Sequence, residues 1–304
     1  MNNRPIVIAH RGASGYLPEH SLPAKALAYA FGADYLEQDV VASRDDELVV
    51  LHDIYLDRVS NVAQKFPKRA RSDGRFYVRD FDMAELRSLS VWERFRADGS
   101  AVYPNRFPVG AGSFRIHTLR EELQFLRDIN TSTGGGVGCY AEIKRPAWHR
   151  QQGVDIAPEL LCILAEFGYS TRNDAAFVQC FDAEELVRIR VELKCELRLV
   201  QLIDDQNLPS ANGLARLSAS VDVIGPSISQ LYQLHQGEVE PTSLAHDAQR
   251  FGLDIHPYTF RRDEIPSGFG DFDALLEYFV SELKVNGMFT DFADLVCQKL
   301  DQQR

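Results

Sequence analysis

The sequence predicts an α/β chain folded as a TIM-type (β/α)8 barrel, with a small inserted subdomain after the second strand. Three observations carry this reading. Short apolar runs recur about eight times, stretches with helical spacing separate them, and one long segment breaks the alternation.

The apolar runs are Ile6 to Ala9, Tyr35 to Val41, Cys139 to Lys144, Ala176 to Cys180, Arg198 to Ile203, Asp222 to Gly225, Asp254 to Tyr258 and Gly287 to Thr290. Helical spacing or composition marks Leu22 to Phe31, Leu119 to Ile129, Ile156 to Phe167, Ala183 to Leu193, Leu244 to Phe251 and Leu275 to Leu283. An open, doubly wound sheet is the alternative arrangement, but neither a GxGxxG nor a GKS/T loop is present to support it. The run Gly134, Gly135, Gly136 precedes a strand, whereas a phosphate loop needs a helix after its glycines, so it reads as a turn. From Ile54 to Ile116 no period is sustained. Some sixty residues exceed an ordinary loop, and residues 54–116 are expected to form a capping subdomain within one barrel domain spanning residues 1–304.

With 45% hydrophobic residues in 304, the chain has the composition of a packed globular protein. A formal net charge of -11 argues against a nonspecific nucleic-acid binder and against a polybasic membrane-surface protein. The expected partner is a small molecule. No apolar run approaches the length of a membrane span. Met1 lies too close to Ile6 for a secretory leader, so the expected address is the cytoplasm as written, or the periplasm if a leader has been removed. Five widely spaced cysteines, none in a CxxC pair, read as reduced core residues and not as a zinc site. Oligomeric state stays open.

The chemistry-bearing residues fall where a barrel keeps its active site, at the C-terminal ends of strands. The first strand ends at His10 and Arg11. In "LEQDVV" the period of two puts Glu37 and Asp39 on one face, and "VVLHD" places His52 and Asp53 at the end of another extended run. In "YAEIKR", Glu142 and Lys144 likewise share a face. Burying these charges in a barrel mouth is costly without compensation, and a divalent cation is the simplest compensation. Glu37, Asp39 and Glu142 offer three hard oxygen ligands, which suit Mg²⁺ or Ca²⁺ better than zinc. Arg11 and Lys144 then face an anion, and His10 and His52 remain as acid and base. Each element alone is a common surface feature. Their placement at one rim carries the reading.

"HRGASGYLPEHS", "GADYLEQDVVASRDDELVVLHD", "AEIK" and "VNGMFTDFAD" resemble the glycerophosphodiester phosphodiesterase family, and "HPYTFR" and "VQCFDAEEL" resemble its periplasmic bacterial branch. The likeness runs from about Ile6 to Leu295. Between Ile203 and Val221 the chain is shorter than that branch. The resemblance implies a TIM barrel with a subdomain after the second strand, one divalent metal ion (Ca²⁺ or Mg²⁺), and hydrolysis of glycerophosphodiesters to sn-glycerol 3-phosphate and an alcohol. It implies that His10 and His52 are the acid/base pair, that Glu37, Asp39 and Glu142 hold the metal, and that Arg11 and Lys144 contact phosphate. Glu19 would orient the first loop or join the outer shell of the metal, and Gln179, Phe181, Tyr258 and Phe289 would line the pocket. A phospholipase D-like enzyme on the same barrel and a phosphodiester-binding protein without activity are the competing readings. The first needs a lipid-entry surface that is not evident, and the second a lost histidine or carboxylate where none is lost.

Overall fold

The computed structural model describes residues 4–206 and 208–302. Met1, which bears on the address, and Asn207, in the shortened segment, lie outside them. The strands in chain order are β1 (Ile6–Ala9), β2 (Tyr35–Ala42), β3 (Leu48–Val50), β4 (Gly138–Ile143), β5 (Ala176–Cys180), β6 (Arg198–Ile203), β7 (Val223–Pro226), β8 (Tyr232–His235), β9 (Glu238–Pro241), β10 (Asp254–Ile255) and β11 (Gly287–Thr290). Parallel pairing runs β10-β7-β6-β5-β4-β2-β1-β11. Between the two ends of that path, Phe260 bridges Thr290 in parallel, and the Asn286 and Phe289 amides donate to the carbonyls of Ile255 (2.9 Å) and Pro257 (3.1 Å). The result is a nearly closed parallel barrel of the TIM type.

Two of the expected elements are shorter than the sequence suggests. Regular pairing of the tenth strand stops at Ile255 instead of Tyr258; Pro257 has no N–H to give toward β11, while the Tyr258 amide still donates to the Pro226 carbonyl (2.9 Å). The expected helix from Leu275 is instead a helix over Phe272–Glu277, capped by Asp271, followed by a π-helical turn over Tyr278–Glu282. The glycine run closes a helix: Gly134, at φ 69°, is the left-handed cap of Leu119–Thr133. The antiparallel hairpin of β8 and β9 and the helices Pro146–Gln151 and Ala211–Leu217 were not anticipated. Cys139, Cys180 and Cys195 are buried and all five cysteines are free, but Cys162 is exposed and Cys297 half-buried, contrary to a core role for the full set.

Three apolar clusters divide the molecule. Ile8, Tyr140, Phe177, Val200, Val223 and Phe289 fill the barrel interior. A larger cluster, including Val7, Leu36, Val40, Leu199 and Ile224, packs the outer face of the strands against the helices. The third includes Val41, Val49, Leu56, Val78, Phe81, Leu86 and Ile116, and so sets the 54–116 segment on the projecting ends of β2 and β3. Each fully buried side chain of this kind contributes about 1.5–3 kcal/mol, enough for a cluster of this size to hold a segment with little regular structure.

Candidate active site

The loop after β1 is bent back by backbone that most residues avoid. Arg11 and His20 both have φ of 58°, and Gly12 has φ of 88°. A Cβ at Gly12 would lie 2.8 Å from the carbonyl carbon of Ala24, so only glycine lets the loop lie against the first turn of helix Leu22–Ala30. The His20 amide donates to the Arg11 carbonyl (2.9 Å) and closes the loop. The Arg11 amide donates to Glu37 Oε2 at 2.6 Å, tying the loop to β2.

On β2, Glu37 and Asp39 point into the barrel mouth, while Gln38 points to the helices. Behind the strand, the fully buried Lys25 donates to the Glu37 carbonyl and lies 2.8 Å from Glu122 Oε1. Glu122 also accepts from Gln38 Nε2 (2.9 Å) and pairs with His117 (2.7 Å). This buried network fixes the strand from its outer side.

The mouth is crowded with carboxylates. Burial and the neighbouring Asp39 push Glu37 well above the usual carboxyl range, against Lys25 and Arg11. Burial pushes Glu142 up to about 8, with Lys144 opposing and Asp39 adding to the shift. Burial would also raise Asp39, but Lys144, His52 and His20 hold it well below its ordinary value. Asp39 Oδ1 is buried without a hydrogen-bond partner among the described residues. Glu37, Asp39 and Glu142 therefore resist ionising together beside Arg11 and Lys144, and the donor set fits a hard divalent cation that would let them do so. His20, Glu37 and Asp39 offer ligand atoms within 4.8 Å of one another. His20 Nε2 lies 2.7 Å from Asp39 Oδ2. Glu142 is turned toward Lys144, whose Nζ is 2.6 Å from Glu142 Oε1 and 3.4 Å from Asp39 Oδ1.

Two histidine–carboxylate pairs flank this cluster. His10 Nδ1 lies 2.7 Å from Asp291 Oδ1, and His52 Nδ1 lies 2.7 Å from Asp53 Oδ1. Burial, with Arg11, lowers His10 to about 4, although Asp291 opposes the shift. Burial, with Arg11 and Lys144, lowers His52 to about 3. Both rings are thus neutral near pH 7. The carboxylate on Nδ1 selects the tautomer that carries its proton there, leaving Nε2 as a base. Asp291 in turn accepts from Arg261 Nε (2.7 Å) and pairs with Arg106 (2.8 Å). Asp53 pairs with Arg94 (2.7 Å), which also grips Glu19 at 2.6 Å.

A cavity of about 460 Å³ is lined by His10, Arg11, Glu37, His52, Glu142 and Lys144, and on its other side by Gln179, Phe181, Tyr258 and Phe289. Asp39, at 1% exposure, lies just behind its wall. Glu19 faces a neighbouring cavity and pairs with Arg11 (3.0 Å) and Arg94, so it orients arginines. Arg11 and Lys144, expected to face an anion, are here engaged with carboxylates, as burying opposite charges together requires. Sequence reasoning gave no role to His20, Asp53, Asp291, Arg94, Arg106 or Arg261. Asp291 follows β11 directly, so the strand-end rule that picked out His10 reaches it too. The three arginines stand in irregular chain and carried no such signal.

The chain matches the glycerophosphoryl diester phosphodiesterase family over residues 10–295. It is 40% identical to a glycerophosphodiester phosphodiesterase of Haemophilus influenzae, over 97% of this chain and 89% of that one. It is 36% identical to one of Treponema pallidum, over 95% and 90%. In fold it is similar to a putative glycerophosphoryl diester phosphodiesterase from Silicibacter pomeroyi (TM-score 0.74, 20% identity, 100% of this chain and 95% of that one). It is also similar to an Oleispira antarctica phosphodiesterase in complex with the product sn-glycerol-3-phosphate (TM-score 0.67, 20% identity, 98% and 97%). With two histidine–carboxylate pairs around an acidic cluster at the mouth of a barrel, and relatives at this identity over nearly its whole length, the chain belongs to the glycerophosphoryl diester phosphodiesterase family.

Proposed function

We propose that the protein hydrolyses glycerophosphodiesters, such as glycerophosphocholine and glycerophosphoethanolamine, to sn-glycerol 3-phosphate and an alcohol. The observation that carries this reading is the pair of neutral histidines, each oriented by a carboxylate, on either side of carboxylates whose charge calls for a cation. Glu37, Asp39 and Glu142, with His20 beside them, would hold one divalent ion, Ca²⁺ or Mg²⁺. Bound there, the ion supplies positive charge that acidifies a substrate hydroxyl and polarises the phosphoryl group. One histidine takes the proton of the neighbouring glycerol hydroxyl through Nε2 as that oxygen attacks phosphorus. The other must carry a proton on Nε2 when the diester is bound, a charged form that the diester's negative charge favours, and it gives that proton to the departing alcohol. Attack within one molecule is favoured because the reacting atoms are already held together. A cyclic glycerol phosphate results, and water opens it with the histidines exchanging roles. Arg11 and Lys144 add positive charge beside the phosphate, and the aromatic rings offer faces to the glycerol carbons. The segment 54–116 acts as a cap that brings Arg94 and Arg106 to the rim.

The test is to incubate the metal-loaded protein with a panel of glycerophosphodiesters and identify both products. Release of sn-glycerol 3-phosphate is expected, and release of the alcohol as its phosphate would overturn the reading. A diester whose neighbouring hydroxyl is deoxy or O-methyl should bind and resist cleavage. Hydrolysis of that analogue at a comparable rate would replace internal attack by direct attack of water.

A further inference from the structure

We propose that the cavity between the 54–116 segment and the barrel rim is the leaving-alcohol subsite, and that Glu93 selects there for a small alcohol bearing an ammonium group. This rests on the reading of the site as a glycerophosphodiesterase. The cavity, about 230 Å³, shares His10, Arg11, His52 and Arg261 with the larger one, so the two are lobes meeting at the histidine pair. Metal-ligand candidates and aromatic faces line the larger lobe, which therefore takes the attacking glycerol. A diester with its phosphorus at the junction must then send its other arm into the smaller lobe.

That lobe contains a carboxyl group with a buried, unpartnered oxygen. Glu93 is 4% exposed, and its Oε2 has no hydrogen-bond partner among the described residues. Its backbone is held on a rung, with Trp92 N donating to the Val59 carbonyl (2.7 Å) and Phe95 N to that of Arg58 (3.0 Å). The four arginines on the same walls are already answered by six carboxylates: Arg11 by Glu19 and Asp39, Arg94 by Glu19 and Asp53, Arg106 by Asp263 and Asp291, and Arg261 by Asp291 and Glu264. Burial and Glu19 push Glu93 up to about 8, while Arg106 and Arg94 oppose the shift only in part. A buried carboxyl without a partner is costly, and a donor cation arriving with the substrate removes that cost. A group of the size of ethanolamine fits the volume. A neutral alkyl chain would leave the carboxyl as it is.

The experiment compares glycerophosphoethanolamine with its isostere glycerophosphopropanol, in which methyl replaces ammonium. For the unaltered protein, kcat/KM should favour the ethanolamine ester by about tenfold or more, the worth of one charge-assisted hydrogen bond. In Glu93→Gln that ratio should fall toward one, whatever happens to the rate common to both esters. Free ethanolamine should also inhibit competitively at concentrations where 1-propanol does not. Equal kcat/KM for the two esters in the unaltered protein, or an unchanged ratio in Glu93→Gln, overturns the subsite. Failure to hydrolyse any glycerophosphodiester overturns the underlying reading instead, and the two failures are distinct. The isostere ratio and the inhibition need no variant, so the proposal stays open to refutation if Glu93→Gln does not fold.

Discussion

His10 and His52, the proposed acid/base pair, stand on unlike supports. The His10–Asp291 pair joins the ends of neighbouring strands, with Ala9 and Thr290 in register, and Asp291 is 2% exposed under two arginines. The His52–Asp53 pair joins consecutive residues in the turn beyond β3, with side chains 28% and 26% exposed and a single arginine from the inserted segment on the carboxylate. The barrel thus supplies both members of one pair, the rigid arm, to which the 54–116 segment adds Arg106, whereas the other pair, the cap-borne arm, has that segment's Arg94 on its carboxylate.

Removal of the metal tests what the arms share, and its effect should be the largest. EDTA is expected to abolish turnover, with Mg²⁺ or Ca²⁺ restoring it far better than Zn²⁺, because the cluster is rich in carboxylates. Full activity in metal-free protein would leave the two pairs as the whole machinery. Affinity for the ion should rise with pH toward 8, since Glu142, held up to about 8 by burial, must lose its proton to bind. Calorimetry at pH 6 and pH 8 checks this, and equal affinities would remove Glu142 from the ligand set.

Next in size are the histidines themselves. His10→Ala and His52→Ala should each lower kcat by about 10²–10⁴-fold with the fold intact, the worth of a positioned acid or base. Near-normal turnover in either would remove that residue from the mechanism. Both rings are buried and lowered below their ordinary value, His10 to about 4 and His52 to about 3. A base with a lowered pKa keeps its working form as pH falls, so with metal held at saturation at each pH the acid limb of kcat/KM should lie near pH 4 and not near 6.5. A limb at 6.5 would show that the resting protein does not bury these rings.

These arms also show what the sequence could disclose. Barrel strands stood out because both of their faces are apolar, and His10, Arg11, Glu37, Asp39, Glu142 and Lys144 stood out because charge follows or interrupts such runs. The hairpin of β8 and β9 was invisible, since "YQLH" and "EVEP" are four residues each and mostly exposed, and so short an alternation does not stand out from polar loop. Arg94 and Arg106 were invisible for another reason. Their partners Glu19, Asp53 and Asp291 lie far off in the chain, and no local pattern encodes a contact made only when the cap folds onto the rim. His20 was in plain view in "LPEHS", but its place beside Asp39 depends on a left-handed backbone that the letters do not announce.

The smallest expected effects separate the two arms most finely, through the groups that hold the histidines. Asp291→Asn should cost about 10²-fold in kcat, because it weakens the hold on the His10 tautomer and strips Arg106 and Arg261 of a buried counter-charge at once. Asp53→Asn should cost about tenfold, since His52 is partly exposed and water can take up part of the role. Arg94→Gln should cost less still, about threefold to fivefold, because it leaves both histidine–carboxylate pairs in place and removes only the clamp on Glu19 and Asp53. The clamp holds Asp53 directly and reaches the His10 arm only through Glu19 and Arg11. Arg94→Gln should therefore lower kcat without moving the acid limb set by His10, whereas Asp291→Asn, by removing the contact that raises His10, should move that limb to lower pH. Rate against pH for the three variants decides it. If Arg94→Gln costs as much as Asp291→Asn and shifts the limb with it, the cap and the barrel hold the site as one body, and the division into a rigid arm and a cap-borne arm is wrong.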